Sequence, residues 1–198
     1  MFLETICIKN GVAVSLEDHA ERMRQSADRF GFTAPELPCI ESLLPGSLRD
    51  KKVKCSIGYR ETIRTVGFVA YTPKVIRSLV LVEGDGLDYS FKYSDRRRLE
   101  VLNSRGGKGD EALIAQNGCI TDTTYSNVVF RKKGEFFTPG TYLLNGTKRQ
   151  RLLRNSIIKE ADITVDNLHE YEYVYLINSM LDIEDGVGCP VKSILSQL

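Results

Sequence analysis

Lys92 sits among aromatic residues, with Tyr89-Ser90-Phe91 before it and Tyr93 after it. A lysine flanked by bulky rings can be partly desolvated, which lowers its pKa and frees its amine for Schiff-base chemistry. A lysine beside tyrosines is also an ordinary surface arrangement, so this segment alone leaves both readings open. His19 and Arg22 stand three residues apart, which puts them on one face of a helix. There the arginine can offer a fork of donors to a buried phosphate, or form a surface pair beside a histidine packed at the helix edge. A third segment, Leu143-Leu144-Asn145-Gly146-Thr147-Lys148-Arg149, places a glycine before a helix start. The unpaired N–H groups and dipole of such a start form an anion site, although Asn-Gly before a helix is equally a tight turn.

Two basic runs, Arg96-Arg97-Arg98 and Lys148-Arg149-Gln150-Arg151, can bind phosphates or simply form solvated helix faces. The charge balance helps to choose a ligand class. The chain has 27 Lys and Arg against 26 Asp and Glu, a net charge of +1, without the basic excess of a nucleic-acid binder. Asp85, Asp88, Asp95 and Asp110 offset the basic runs, and screening over about 10 Å leaves little pull on a polyanion. A ligand with a single phosphate fits better than a duplex. The five cysteines are scattered and form no C-x-x-C pair, and only two histidines are present, so neither a disulfide framework nor a metal site is expected. Cys55 falls in the alternation Val53-Cys55-Ile57-Tyr59 and reads as a small buried hydrophobe.

The elements that must carry these residues are readable from periodicity. Phe2 to Ile8 alternates as a strand, and Asn10-Gly11 turns it into Val12-Ala13-Val14. Ser15, with Asp18 three residues on, resembles a capping box. Leu16, Ala20, Met23, Ala27 and Phe30 then recur at helical spacing up to Gly31. Strands are predicted over 52–59, 62–71 and near 76–82. A short helix is predicted over 95–103, broken by the glycine-rich stretch through 106–109. A run of strands follows, with turns at Asn117-Gly118, Lys133-Gly134 and Pro139-Gly140. A second helix starts after Gly146 and carries Leu152, Leu153, Ile157 and Ile158 on its apolar side. A strand over 172–177 leads into Asn178-Ser179-Met180. Clustered strands indicate an α+β fold with a small first domain, 1–82, and a larger second one, 83–198. No apolar run approaches the ~20 residues of a spanning helix, and Met1-Phe2-Leu3-Glu4 does not open a secretory leader. A soluble cytoplasmic protein without membrane or nucleic-acid partners is expected.

Taken in order, these segments resemble the class IV aminotransferases, the fold-type IV pyridoxal-phosphate family. That family includes branched-chain and D-amino-acid aminotransferases and 4-amino-4-deoxychorismate lyase. Glu4-Thr5-Ile6 followed by His19-Ala-Glu-Arg22-Met23 is similar to its "ETI" and "H-x-x-R-(L/M)" opening. Lys92-Tyr-Ser-Asp95-Arg96 resembles the segment bearing its catalytic lysine. Asp110-Glu-Ala-Leu-Ile114, Asn117-Gly118 and Ile120-Thr-Asp-Thr-Thr-Tyr-Ser-Asn127 resemble "DEALL…NG…VTEGTTSNI". Thr138-Pro139 and Leu143-Leu-Asn-Gly-Thr-Lys-Arg149 resemble "TP…LLPGITR".

The resemblance implies a D-amino-acid aminotransferase-like fold: a small α+β domain, a larger β-rich barrel-like domain, the cofactor between them, and a homodimer. It implies that Lys92 binds pyridoxal 5'-phosphate as a Schiff base and shuttles the substrate proton. Arg22 would hold the phosphate, together with the backbone at Gly146, Thr147 and Lys148. Asp122 would face the pyridine nitrogen, Leu144 would pack on the ring, and Asn178, Ser179 and Met180 would close over phosphate and substrate. Asn127 is open between contacting the cofactor and packing. The substrate would be a small amine, handled by transamination or by aminodeoxychorismate lyase chemistry; the alternatives are a pyridoxal-phosphate-binding homologue without turnover and a phosphate or nucleic-acid binder. Three departures stand out. Asp122 is one methylene shorter than the family's glutamate, Lys148 replaces a threonine, and the strand and "RGF-x-YGDG" segment that ordinarily precede "ETI" are not seen. The family's substrate preferences therefore do not transfer.

Overall fold

The computed structural model of the chain describes residues 1–105 and 110–196; the glycine-rich break expected through 106–109 lies outside them. Where the sequence suggests one division after residue 82, contacts group the chain as Met1–Thr72 with Phe91–Asp95, and Pro73–Ser90 with Arg96–Leu198.

The first unit is a four-stranded antiparallel sheet with one long helix. β1 (Phe2–Lys9) turns through Asn10 and Gly11 into β2 (Val12–Ala13). Both turn residues have positive φ, 50° and 76°, the type I′ geometry that matches strand twist. α1 (Leu16–Phe30) follows, then a single-turn helix, α2 (Ile40–Leu43), and the hairpin β3 (Val53–Tyr59) and β4 (Ile63–Ala70), in the order β2-β1-β3-β4. The capping box expected at Ser15 is not made. Ser15 has φ 56° and its side chain does not cap the helix, because a capping side chain needs an extended backbone to fold over the first amides. Gly31 ends α1 in a left-handed conformation, as its position suggests. Ile6, Ile8, Ile40, Val53, Cys55 and Ile57 form the main core of this unit. Cys55 is a packed hydrophobe whose thiol burial pushes up to about 11.

Phe91–Asp95 joins this unit by lying along β1. The Leu3 amide donates to the Lys92 carbonyl at 2.9 Å, and Ser94 donates from its amide and hydroxyl to the Met1 carbonyl. Phe91 and Tyr93 pack on the Phe2, Met23 and Tyr59 cluster, so the rings flanking Lys92 are the anchors of its segment.

The second unit contains β5 (Leu79–Glu83), α3 (Arg97–Arg105), β6 (Glu111–Gln116), β7 (Cys119–Thr123), β8 (Asn127–Lys132) and β9 (Glu135–Pro139). It continues with α4 (Thr147–Arg154), β10 (Lys159–Ala161), β11 (Tyr173–Ile177), β12 (Gly188–Pro190) and β13 (Ile194–Ser196). The described strands form one mixed sheet, β10-β9-β8-β7-β6-β5-β13, with β11 joining β8 to β12. β5 and β6 are parallel, a pairing that needs the long crossover carrying α3. The core runs through Leu113, Ile114, Ile120, Val128, Val129, Phe130, Val174 and Leu176, all inaccessible to solvent. α4 stops sooner than its apolar pattern suggests. Asn155 caps it, Ser156 takes φ 55°, and of the two isoleucines that follow, Ile158 is buried while Ile157 is exposed. No helix among the described residues is long and apolar enough to cross a membrane.

Ile57 is fully buried and Val69 on β4 is exposed. Ile57→Ala is expected to lower urea stability by about 3 kcal/mol, with Val69→Ala within about 0.5 kcal/mol of the parent.

Candidate active site

Asp122 is the centre of the second unit's polar network. It is the penultimate residue of β7, directly opposite Asn127, the first of β8. Its carboxyl is buried and hydrogen-bonded at both oxygens. Oδ1 accepts from Asn127 Nδ2 at 2.8 Å, and Oδ2 accepts from the amides of Leu143 and Leu144 at 3.1 and 2.9 Å. Burial raises its pKa to about 7, against the lowering effect of these three donors and the charge of Arg149.

Asn127 ties this acid to the loop before α4. Its amide nitrogen also donates to the Leu144 carbonyl at 2.8 Å. Its oxygen lies so close to Gly146 that a Cβ there would come within 2.1 Å of it. Glycine at 146 is therefore required by packing rather than by a strained φ, since the backbone there is ordinary extended chain.

Gly146 opens α4, whose second and third residues are buried cations. Lys148 donates to Asp182, whose carboxyl is only partly buried. Burial works to raise the Asp182 pKa, but Lys148 prevails and holds it below the usual range. Arg149 donates to Asn145 Oδ1, to the Pro139 carbonyl at 2.9 Å and to Glu160 at 2.5 Å, with the Tyr142 ring 4.5 Å away. The run Lys148-Arg149-Gln150-Arg151 is thus not a solvated face where its first two residues are concerned. A helix start can bury cations when carboxylates and carbonyls from neighbouring loops meet them.

Asn178 closes the network. Its Nδ2 donates to Ser126 Oγ at 2.8 Å, and its Oδ1 accepts from the amides of Met180 and Leu181 at 2.8 and 3.0 Å. The loop 178–181 is thereby tied to the β7–β8 turn, and Asp182 beyond it to α4. Met180 is buried and Ser179 half-buried.

The two remaining expected site residues belong to the first unit. Lys92 is half-buried, its backbone held on β1 beside Glu4. Arg22 points inward, but it makes its bidentate pair with Glu4. The second unit therefore joins Asp122, Asn127, Leu144 and Gly146 directly, buries Thr147 at the start of α4, pairs Lys148 with Asp182 and ties the 178–180 loop to Ser126, and the first unit carries Arg22 and Lys92. Glu4, Arg149 and Asp182 were not among the expected site residues. Glu4 left a signal in the sequence as a charged residue in the inward-facing series Phe2, Glu4, Ile6, Ile8, and Arg149 left one as a member of the basic run at the start of α4, whereas Asp182 left none.

The family model for amino-transferase class IV matches residues 99–193. An uncharacterized protein of Haemophilus influenzae is 33% identical over 180 residues, covering 89% of this chain and 96% of that one. The chain belongs to the class IV aminotransferase family. A solved structure from Haemophilus somnus, described as "a putative 4-amino-4-deoxychorismate lyase", is 30% identical with a TM-score of 0.81, over 90% of this chain and 95% of that one. A Schizosaccharomyces pombe protein named "Putative aminodeoxychorismate lyase" is 27% identical over 90% of this chain and 85% of its own length. The expected α+β fold of the class IV aminotransferases is the observed one.

Two outcomes follow from the network. Gly146→Ala is expected to cost about 2 kcal/mol in urea unfolding, because Asn127 cannot yield without releasing Asp122 and Leu144. Asp122 carries a raised pKa, so the folded protein binds the extra proton and loses stability as pH rises from about 4 to about 7, by on the order of 4 kcal/mol. Cofactor-free Asp122→Asn is expected to flatten that decline when urea midpoints are compared across the window.

Proposed function

We propose that this protein is a pyridoxal-phosphate enzyme acting on the amino group of a small substrate, with Lys92 as its catalytic residue. The carrying observation is the buried Asp122 carboxyl, tied to the loop that leads directly into the start of α4. Pyridoxal phosphate presents a basic ring nitrogen at one end and a phosphate at the other. A buried acid with a pKa near 7 suits the first, because a protonated nitrogen would favour its ionised form. The N–H groups of Thr147 and Lys148 at the start of α4 suit the second. The donor set fits the cofactor, and the family is pyridoxal-phosphate-dependent.

In this reading Lys92 Nζ would hold the cofactor and would act as the base that takes the proton from the substrate carbon bearing the amino group. A lyase would pass that proton to the departing enolpyruvate, whereas an aminotransferase would deliver it to a different carbon from the one it left. Asp122 would keep the ring nitrogen protonated, and Asn127 keeps Asp122 in place. Arg22 and the α4 start would hold the phosphate, Leu144 would pack against the ring, and Asn178 would hold Ser179 and Met180 over the substrate. The bound cofactor supplies an electron sink that makes the α-proton labile. Lys148, paired with Asp182, acts through the position of the 178–182 segment as much as through its charge. Among reactions, the names carried by the Haemophilus somnus and Schizosaccharomyces pombe relatives favour 4-amino-4-deoxychorismate lyase, which expels pyruvate and leaves p-aminobenzoate. The working form would be a cytoplasmic homodimer, as the resemblance implies.

Purified protein incubated with pyridoxal phosphate is expected to gain a visible absorption band that Lys92→Ala abolishes. The lyase is expected to release p-aminobenzoate from 4-amino-4-deoxychorismate, with at least about a thousandfold loss in Lys92→Ala. Interconversion of amino and keto acids without p-aminobenzoate would replace the lyase by an aminotransferase. A coloured protein inert towards both would be a binding homologue, and a colourless one would sink the reading.

A further inference from the structure

We propose that Glu4 and His19 are positioning residues that set the Arg22 guanidinium for the cofactor's phosphate, so that a carboxylate inside the first unit governs affinity for phosphorylated ligands without touching them. The proposal rests on the assignment of Arg22 to phosphate made above.

The geometry is that of a clamp. Glu4 occupies an inward position of β1, on the face where Phe2 and Ile6 supply apolar core. Both of its oxygens are engaged: Oε1 accepts from Arg22 Nε at 2.9 Å, and Oε2 accepts from Arg22 Nη2 at 2.5 Å and faces His19 Nδ1 at 2.6 Å. His19 and Arg22 reach it from the same face of α1, one turn apart. The Glu4 and His19 side chains are 0% and 1% exposed, whereas the Arg22 side chain keeps 10%. Of the three side chains, Arg22 is the one that keeps measurable exposure.

Stability alone gives a poor reason for this arrangement. A buried ion pair is commonly matched or bettered by apolar residues of the same volume, so the core does not need charges here. What a bidentate carboxylate does provide is direction. It takes the Nε–Nη2 edge of the planar fork and fixes its plane and rotamer. His19 removes the remaining freedom of the carboxylate by holding its second oxygen. An arginine with its rotamer already chosen gives up less freedom on binding than a flexible one.

Glu4 also offsets the charge of Arg22, so the two possible roles predict opposite signs. If Glu4 mattered only as a nearby negative charge, Glu4→Gln would strengthen phosphate binding. If it orients Arg22, the same change weakens it.

The test is to titrate the cofactor-free full-length protein with pyridoxal phosphate and with pyridoxal, which lacks the phosphate, following the visible band. Glu4→Gln is expected to weaken pyridoxal phosphate roughly tenfold while leaving pyridoxal within about twofold. Glu4→Asp keeps the charge but is too short for the bidentate grip. It is expected to show the same selective loss, and it serves where the neutral variant folds poorly. Unchanged or tighter binding of pyridoxal phosphate overturns the proposal, and so does an equal loss for both ligands. Arg22→Met, combined with Glu4→Gln so that no buried charge is left unpaired, separates the two levels. If it leaves the preference for the phosphorylated ligand intact, the assignment of Arg22 is wrong and the proposal falls with it. If it removes the preference while the single Glu4 variants do not, only the positioning role fails.

Discussion

A carboxyl group taken out of water must be given hydrogen bonds or a proton, and in the second unit nearly everything near the helix start follows from how Asp122 meets that demand. Two of its donors are consecutive backbone amides, Leu143 and Leu144, so the loop before α4 is drawn onto the end of β7. The third is Asn127, which is also bonded to Leu144 and packed on Gly146. A change at any of these positions is felt at the acid, because the network has no slack member. The raised pKa of Asp122 shows that the donors do not fully replace water. Such a group is costly to keep in a core.

Glu4 in the first unit shows the opposite balance. It is buried just as completely, but Arg22 and His19 outweigh burial and bring its pKa down to about 2. One acid is thus poised near neutrality and the other is permanently charged, although both lie on strands in apolar surroundings. The difference lies in the partners. Neutral amides satisfy Asp122 without a directly bonded cation, whereas a guanidinium sits directly on Glu4. The first can gain or lose a proton near neutral pH, and the second holds a fixed charge in a fixed place.

Much of this was legible in the chain itself. The spacing of Leu16, Ala20, Met23 and Ala27 announced α1, and the residue pairs at 10–11, 117–118 and 133–134 announced hairpins that take the left-handed φ angles their glycines allow. The ordered segments around Lys92, Asp122 and Leu143–Arg149 were enough to name the family. The helix cap at Ser15 and the end of α4 were misjudged because both depend on a single left-handed residue, at 15 and at 156, that a side-chain pattern does not reveal.

What the sequence determined by itself was therefore the set of reactive types and the elements that carry them, since periodicity and turn chemistry are local properties of a chain. Pairing was decided only by the tertiary structure. Whether Arg22 faced solvent or a carboxylate, whether Lys148 stood alone or against Asp182, and whether Gly146 was a turn or a packing requirement all depend on residues distant in sequence. Burial raises the consequence of each such contact, because an unpaired charge inside a protein costs far more than one in water. The chemistry of the site is spelled by single residues, but its charge states are set by which of them the fold brings together.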